Sequence, residues 1–329
     1  MFYSVIVPVY NRPDEIQVLL QCLTQQNYSN FEVIVVESGS DKRRSDEVVQ
    51  AYSNKLNIRY IMAGNNGPGL SRNEGFKVAL GDYFIVLDSD ILLENDFIFQ
   101  INKAVSEQNL DAHGGPDKCH PSFTDVEKAC NYSLTSFLTT GGMRGGNIRA
   151  TKYFPRSFNM GFSRKVYETV GGFAFGFMGE DIELSHRIIN AGFKVGLIPD
   201  AFVYHHRKKD FSTFFKYMKF FGKSRINLMI LIPNSLKIIH LVPVAFVIYF
   251  FAAYLSAFIS FEVFLLMKAL FYTYFAMIFI DSSFKNQSLQ IGFLSMIATF
   301  VQFFGYGLGF MEDFWKRIVV KQEKDLVNI

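Results

Sequence analysis

The sequence predicts an α/β fold, a mostly parallel sheet with helices on both faces, followed by a C-terminal helical membrane region. Three observations predict it. Up to about Asp210 the apolar residues come in short runs broken by turn residues, and these runs alternate with helix-like segments. From Ile238 to Met311 they come instead in long uncharged stretches dominated by Phe, Leu, Ile and Tyr. The 329 residues suffice for one large domain with an appendage.

Val5 to Val9 form an apolar run that reads as a strand ending at Tyr10 and Asn11. Asn11 can cap a helix whose first turn holds Pro13, Asp14 and Glu15. The pattern repeats with a strand over Phe31 to Val36, a polar helix near Ser45 to Tyr52, a strand over Ile58 to Met62 and a helix over Leu70 to Leu80. Tyr83 to Leu87 then make a strand that runs directly into Asp88, Ser89 and Asp90. In a parallel sheet covered on both faces, ligands bind beyond the carboxyl ends of the strands. The polar residues at those ends are Asn11 and Arg12, Glu37 to Asp41, Gly64 to Asn73, and Asp88 to Asp90.

A net charge of +3, with no Lys/Arg block interleaved with aromatics, argues against nucleic acid as a partner. Cys22, Cys119 and Cys130 are odd in number and show no CxxC spacing, which disfavours a disulfide framework and a zinc site and points to a reducing compartment. Met1 leads into SVIVPVYN, too short and too strand-like for a signal peptide core, so the first domain is expected on the cytoplasmic side. GNNGPG does not match G-x-G-x-x-G and follows the third strand, which disfavours a dinucleotide-binding domain. Walker A, HExxH and GxSxG patterns do not occur.

Three constellations carry chemistry. Asp88 and Asp90, one residue apart at the end of an apolar strand, can both reach a hard divalent cation, which neutralises a diphosphate. A solvated turn is the alternative for an isolated acidic triplet, but GDYFIVLDSDILL wedges this one between apolar residues. Second, in FGFMGEDIELSHRIINAG, glycines precede Glu180 and Asp181 at an expected helix start, where Asp181 can take a proton from an attacking hydroxyl. Glu183 and Arg187 lie four apart, so they read as a helix-surface ion pair worth roughly 0.3–0.5 kcal/mol, or Arg187 faces a phosphate. Third, His205 and His206 follow another short apolar strand, and one of them can join the two Asp residues on the metal. Adjacent strand residues point to opposite faces, so at most one does. The alternative is a basic interfacial cluster with Arg207, Lys208 and Lys209 near anionic lipid.

In order, SVIVPVYNRPDEIQVLLQCLTQQNYSNFEVIVVESGSDK, GPGLSRNEGFKVALGDYFIVLDSD and PRSFNMGFSRKVYETVGGFAFGFMGEDIELSHRI resemble the family 2 glycosyltransferases of the GT-A fold, over Ser4 to about Arg207. The resemblance implies an inverting, single-displacement transfer from a nucleoside diphosphate sugar, expected to be UDP-linked, with Mg²⁺ or Mn²⁺ as cofactor. Asp181 matches the family's base, and Asp88, Asp90 and His205 its metal positions. Pro8, Tyr10, Glu37 and Asp41 match positions lining the nucleobase and ribose, Arg72 and Asn73 a strand-end pair near the nucleotide, and Gly179, Glu180 and Arg187 the acceptor side. Glu37 departs from the Asp more usual there, which leaves base preference open. No Gln-x-x-Arg-Trp follows Asp181, and the only tryptophan is Trp315, so the chain reads as non-processive. The tail is similar to membrane-bound members that assemble succinoglycan-type exopolysaccharides, sharing FGKSR-like and YGLGF-like elements.

The expected organisation is a catalytic domain over residues 1–210, an amphipathic interfacial segment over 211–236, transmembrane helices over 237–312 and a charged tail over 313–329. Ile238 to Phe261 and Leu289 to Met311 are each long enough to span, while Val263 to Ile280 carries Lys268 and is either a third span or interfacial. Basic flanks on both sides of the region favour an even number of spans, and apolar length favours three. The reading is a multi-pass protein of the inner, plasma membrane, acting on a lipid-linked or glycan acceptor, with a homo-oligomer left open. A polyprenyl-phosphate sugar synthase and a non-catalytic nucleotide-sugar-binding subunit are the alternatives. The insert from Asp111 to Pro155, with TTGGMRGG, is long enough to shape an acceptor pocket.

Overall fold

A computed structural model describes residues 1–141, 153–233 and 235–322. Residues 142–152 of the insert, including the end of TTGGMRGG, and the tail from 323 lie outside the described residues. The chain forms two compact units, one holding residues 1–118 and the stretch up to His205, the other holding 119–141 and 206–322.

In chain order the first unit begins with β1 (Tyr3–Val9), α1 (Pro13–Thr24), β2 (Phe31–Ser38), α2 (Asp46–Tyr52), β3 (Ile58–Ala63), α3 (Pro68–Val78) and β4 (Tyr83–Leu87). Next come β5 (Ile91–Leu93), α4 (Phe97–Gln108), β6 (Ala112–Gly114) and β7 (Asp117–Lys118). After α5 (Asp125–Thr135) and α6 (Phe137–Thr140), which belong to the second unit, follow β8 (Asn159–Ser163), α7 (Arg164–Val170), α8 (Glu180–Asn190), β9 (Val195–Leu197) and β10 (Val203–His205).

A seven-stranded sheet runs in the order β3-β2-β1-β4-β8-β6-β9. The first four strands are mutually parallel, β8 is antiparallel to β4 and β6, and β9 is parallel to β6. Every residue of β1 and β4 is buried, so these strands lack alternation because helices cover both faces of the sheet. One core, under α1 and α4, takes Val5, Val7, Ile16, Leu20, Ile85 and Ile98; the other, under α3 and α8, takes Ile6, Ile34, Phe76, Phe84 and Leu184. A small second sheet, β5-β10-β7, was not foreseen from the sequence, because its strands are two or three residues long.

The expected Asn11 cap is corrected. Position Arg12 precedes α1 without a side-chain cap, and Asn11 takes a left-handed φ of 55°. Its side chain turns instead to the loop after β2, donating to Asp41 Oδ1 at 2.8 Å and accepting from the Lys42 and Arg43 amides at 3.0 Å each. An Asn tolerates this φ better than most residues, and the cross-loop bonds replace the cap.

The second unit continues with α9 (Phe211–Leu231), α10 (Val242–Leu255), α11 (Phe261–Asn286) and α12 (Leu289–Phe314). Among the described residues, three stretches are long and apolar enough to cross a membrane, Ile238–Phe258, Phe261–Asn286 and Leu289–Val319, the number that apolar length favoured over flanking charge. Lys268 fits within the middle one because its ammonium lies over the rings of Tyr254, Phe264 and Tyr272 at 4.9, 5.1 and 5.8 Å. Helical structure runs on through Trp315–Val319, so the start of the expected charged tail is helix.

Within residues 211–236, expected as an amphipathic interfacial segment, α9 packs one face on protein. Phe214, Met218, Gly222 and Ile226, spaced by four, are buried, and Phe214 and Met218 join α5 and α12 residues in one core with Ala129, Cys130, Ile291 and Ala298. A Cβ on Gly222 would meet the Tyr306 carbonyl at 2.1 Å, and one on Gly309 the Lys219 carbonyl at 2.1 Å, so glycines allow α9 and α12 to touch backbone to backbone. A one-sided apolar stripe requires a partner without stating whether that partner is lipid or protein.

Candidate active site

The acidic triplet is fixed from both sides. Leu87 ends β4 and Ile91 begins β5, both fully buried, which leaves Asp88 and Asp90 at the carboxyl edge of the sheet. Antiparallel pairing of β10 with β5 sets His205 opposite Ile91, and His205 Nε2 lies 3.2 Å from Asp90 Oδ1. Asp88, Asp90 and His205 offer three ligand atoms within 4.8 Å of one another. Two carboxylates and an imidazole form a donor set that suits a hard or borderline divalent cation such as Mg²⁺ or Mn²⁺. His206 turns elsewhere, as alternation along a strand requires: its Nδ1 lies 2.8 Å from Glu127 Oε1 and its ring stacks on Phe123 at 4.1 Å.

Arg72 links the triplet to the second constellation. It lies in the second turn of α3, only 1% exposed, with Nη2 2.5 Å from Asp88 Oδ1 and Nη1 3.7 Å from Glu180 Oε1. Phe173 supports it, its ring 5.4 Å from the guanidinium carbon. The other Arg72 nitrogen, Nε, is buried without a hydrogen-bond partner.

Met178 at φ 68° and Gly179 at φ 96° reverse the chain into α8. Glycine suits the second of these positions because a Cβ there is strained. The reversal buries Glu180, whose carboxyl is pushed up to about 7 by burial and by the neighbouring charge of Asp181, against the opposing pull of Arg72. Asp181 stays partly exposed at the head of the helix, accepting from the Ile182 amide at 2.8 Å and the Ser157 amide at 3.4 Å, with Arg156 Nη1 at 3.8 Å. A carboxylate so held at a helix N-terminus is oriented.

At the ends of β1 and β2 the expected donor-lining residues divide. Pro8 is buried within β1 and Tyr10 is exposed beyond it. Glu37 is fully buried and accepts from the Ser45 amide at 2.8 Å, Tyr60 Oη at 3.0 Å and Ser40 Oγ. Its longer side chain therefore frames the loop that carries Asp41. Asp41 is exposed, and the Asn11 amide holds its carboxyl below the usual range.

Two residues expected at the site have other duties. Asn73 is on α3, not at a strand end, and its amide is engaged at both ends by Phe173, donating to the carbonyl and accepting from the amide at 2.8 Å each. Arg187 donates to both Glu183 oxygens, at 2.6 and 2.7 Å, and to the carbonyls of Val170 and Gly172. The helix ion pair is present and is extended by a backbone clamp, which together engage four of the five guanidinium N–H groups. Conversely, Arg12 and Arg156 received no role from the sequence. Arg12 Nη1 lies 3.2 Å from Asp90 Oδ2 and 3.0 Å from Glu15 Oε2. Its place directly after the first strand was a usable signal; Arg156 follows the insert and offered none.

The family model "Glycosyl transferase family 2" matches residues 4–171. Among curated relatives, the amylovoran biosynthesis glycosyltransferase AmsB of Erwinia amylovora is 41% identical over 92 residues, 27% of this chain and 30% of that protein. The hyaluronan synthase of Pasteurella multocida is 27% identical over 237 residues, 61% of this chain and 24% of that protein. The chain thus spans less than a third of the length of these relatives. Among solved structures, the mannosyltransferase PcManGT from Pyrobaculum calidifontis, in complex with GDP-Man and Mn²⁺, aligns with a TM-score of 0.64 at 16% identity, covering 90% of this chain and 86% of that one, which shows a shared GT-A fold.

Proposed function

This chain belongs to glycosyl transferase family 2, and we propose that it is an inverting, metal-dependent, non-processive transferase that moves a sugar from a nucleoside diphosphate sugar, UDP-linked, to a lipid-linked or glycan acceptor in cell-surface polysaccharide or glycolipid synthesis. The observation that carries this reading is Arg72, which touches both Asp88 of the acidic triplet and Glu180, the neighbour of Asp181. One side chain therefore ties the donor-handling end of β4 to the proton-accepting end of α8.

Asp88, Asp90 and His205 would hold Mg²⁺ or Mn²⁺, which when bound offsets the charge growing on the departing diphosphate. Asp181 accepts the proton of the acceptor hydroxyl as its oxygen bonds to the anomeric carbon and the bond from that carbon to the diphosphate oxygen breaks. Its bonds to the Ser157 and Ile182 amides hold the Asp181 carboxylate in one orientation. Arg72 and Arg12 provide positive charge at the edge where the diphosphate would lie. A polyprenyl phosphate acceptor is already ionised and needs no base, so the placement of Asp181 favours a hydroxyl acceptor. The three apolar stretches and the free cysteines Cys22, Cys119 and Cys130 support a multi-pass membrane protein acting on the cytoplasmic side.

The test is release of nucleotide from UDP-, GDP- and dTDP-sugars by the purified full chain with Mg²⁺ or Mn²⁺, for the wild type and Asp181→Asn. One donor class should give metal-dependent release that rises with acceptor. Asp181→Asn should bind that donor equally while turnover falls by roughly 10²–10⁴-fold. Unchanged turnover in the variant would refute the assignment of the base.

A further inference from the structure

The second unit gathers positive charge at one place that the transfer reaction does not use. Glu312, near the end of α12, receives three ammonium groups: Lys219 at 2.8 Å and Lys223 at 2.9 Å from α9, and Lys316 at 2.8 Å from one turn further along its own helix. A single carboxylate balances one of these three charges. The adjacent Arg317 does not alter the count, since Asp313 faces it at 3.5 Å. All three lysines remain open to an incoming group, with side chains 39%, 24% and 46% exposed.

The surroundings specify what kind of anion fits. The cluster lies within the last two turns of the apolar stretch Leu289–Val319, whose outward residues there, Phe314, Trp315, Ile318 and Val319, are exposed and apolar. Trp315 is the only tryptophan of the chain. A tryptophan at the end of an apolar span, flanked by lysines, is the pattern of a helix end at the head-group layer of a bilayer. A soluble anion site would have no reason to stand beside an exposed apolar band, whereas a phospholipid supplies a phosphate for the ammoniums and acyl chains for that band.

We propose that Lys219, Lys223 and Lys316, gathered on Glu312, form a head-group site for an anionic bilayer phospholipid, whose phosphodiester offsets one of the two charges that the carboxylate leaves unbalanced. The site ties α9 and α12 to the charged layer of the membrane. It is independent of the transferase reading, because none of its residues belongs to the candidate active site.

The experiment is thermal unfolding of the purified full chain in neutral detergent, titrated with phosphatidylglycerol or with phosphatidylcholine. In the wild type, phosphatidylglycerol should half-saturate the rise in midpoint at a concentration about tenfold lower than phosphatidylcholine, as two unbalanced charges near an anionic head group imply. The variant Lys219→Gln/Lys223→Gln/Lys316→Gln should lose that difference, and the corresponding Lys→Arg variant should keep it. Salt at about 1 M, where the screening length is about 3 Å, should abolish the preference in the wild type, a check that needs no variant to fold. Equal half-saturation by the two lipids, an unchanged preference in the Gln variant, or a preference insensitive to salt overturns the proposal. So does glycerol phosphate reproducing the whole shift, which would assign the lysines to a soluble phosphate.

Discussion

His205 Nε2 lies 3.2 Å from Asp90 Oδ1, although 114 residues lie between them in the chain. The contact follows from strand pairing: β10 runs antiparallel to β5, and β5 begins at the residue after Asp90. A histidine that composition would leave among the basic residues before α9 is thereby brought beside Asp88 and Asp90 as a candidate third ligand.

That relationship predicts how divalent cations act on the isolated chain. Mn²⁺ should raise the thermal midpoint of the wild type in the absence of donor, because the ion binds the folded state alone. Asp90→Asn and His205→Ala should each weaken Mn²⁺ by at least the roughly 10–100-fold that loss of a supporting partner costs a metal site. His206→Ala should leave Mn²⁺ affinity unchanged, since its ring faces Glu127 and Phe123. Equal losses at both histidines would contradict the assignment.

Glu180 sets a pH dependence of stability. Its carboxyl is raised from 4.5 to about 7 in the folded chain by burial first and by Asp181 second. A raised carboxyl favours folding while protonated, so its contribution is fully present below about pH 4.5 and is lost as pH rises through about 7. Glu180→Gln should therefore stabilise the protein at pH 8 relative to wild type, by up to about 3 kcal/mol, and leave little difference at pH 4. Denaturation midpoints at the two pH values check the sign.

Arg187 should behave as a stabilising clamp, not as a ligand of the donor. Arg187→Ala leaves the Glu183 carboxylate and the Val170 and Gly172 carbonyls without their donors, and should cost about 2–4 kcal/mol of stability. Donor affinity of the folded fraction, measured by calorimetry, should stay within about twofold, well below the tenfold that 1.4 kcal/mol represents. A selective loss of donor binding at unchanged stability would return Arg187 to the site.

Much of the fold was legible because burial writes itself into short-range pattern. Tyr83 to Leu87 read as a strand since a parallel sheet covered on both sides needs unbroken apolar runs. The same logic made the three apolar stretches after Ile238 visible from length alone. Asp88, Asp90 and Asp181 stood out as carboxylates set among apolar residues or glycines, where a solvated turn has no reason to be.

What the sequence could not determine was the direction of side chains that choose among several partners. Arg187 and Arg72 are the same residue type on two helices, yet one clamps backbone carbonyls and the other bridges Asp88 and Glu180. Only packing decides which acceptors come within reach, because a guanidinium on a flexible stem has no preference along the chain. The segment over 211–236 read as amphipathic, and tertiary structure named α12 and α5 as what buries Phe214 and Met218 on its apolar face. The sequence by itself thus determined the first four strands, two of the three apolar stretches and the carboxylates, all encoded by neighbours in the chain. Tertiary structure decided the partners of Asn11, Asn73, Arg187 and His205, because each contact joins residues that only the folded backbone brings together.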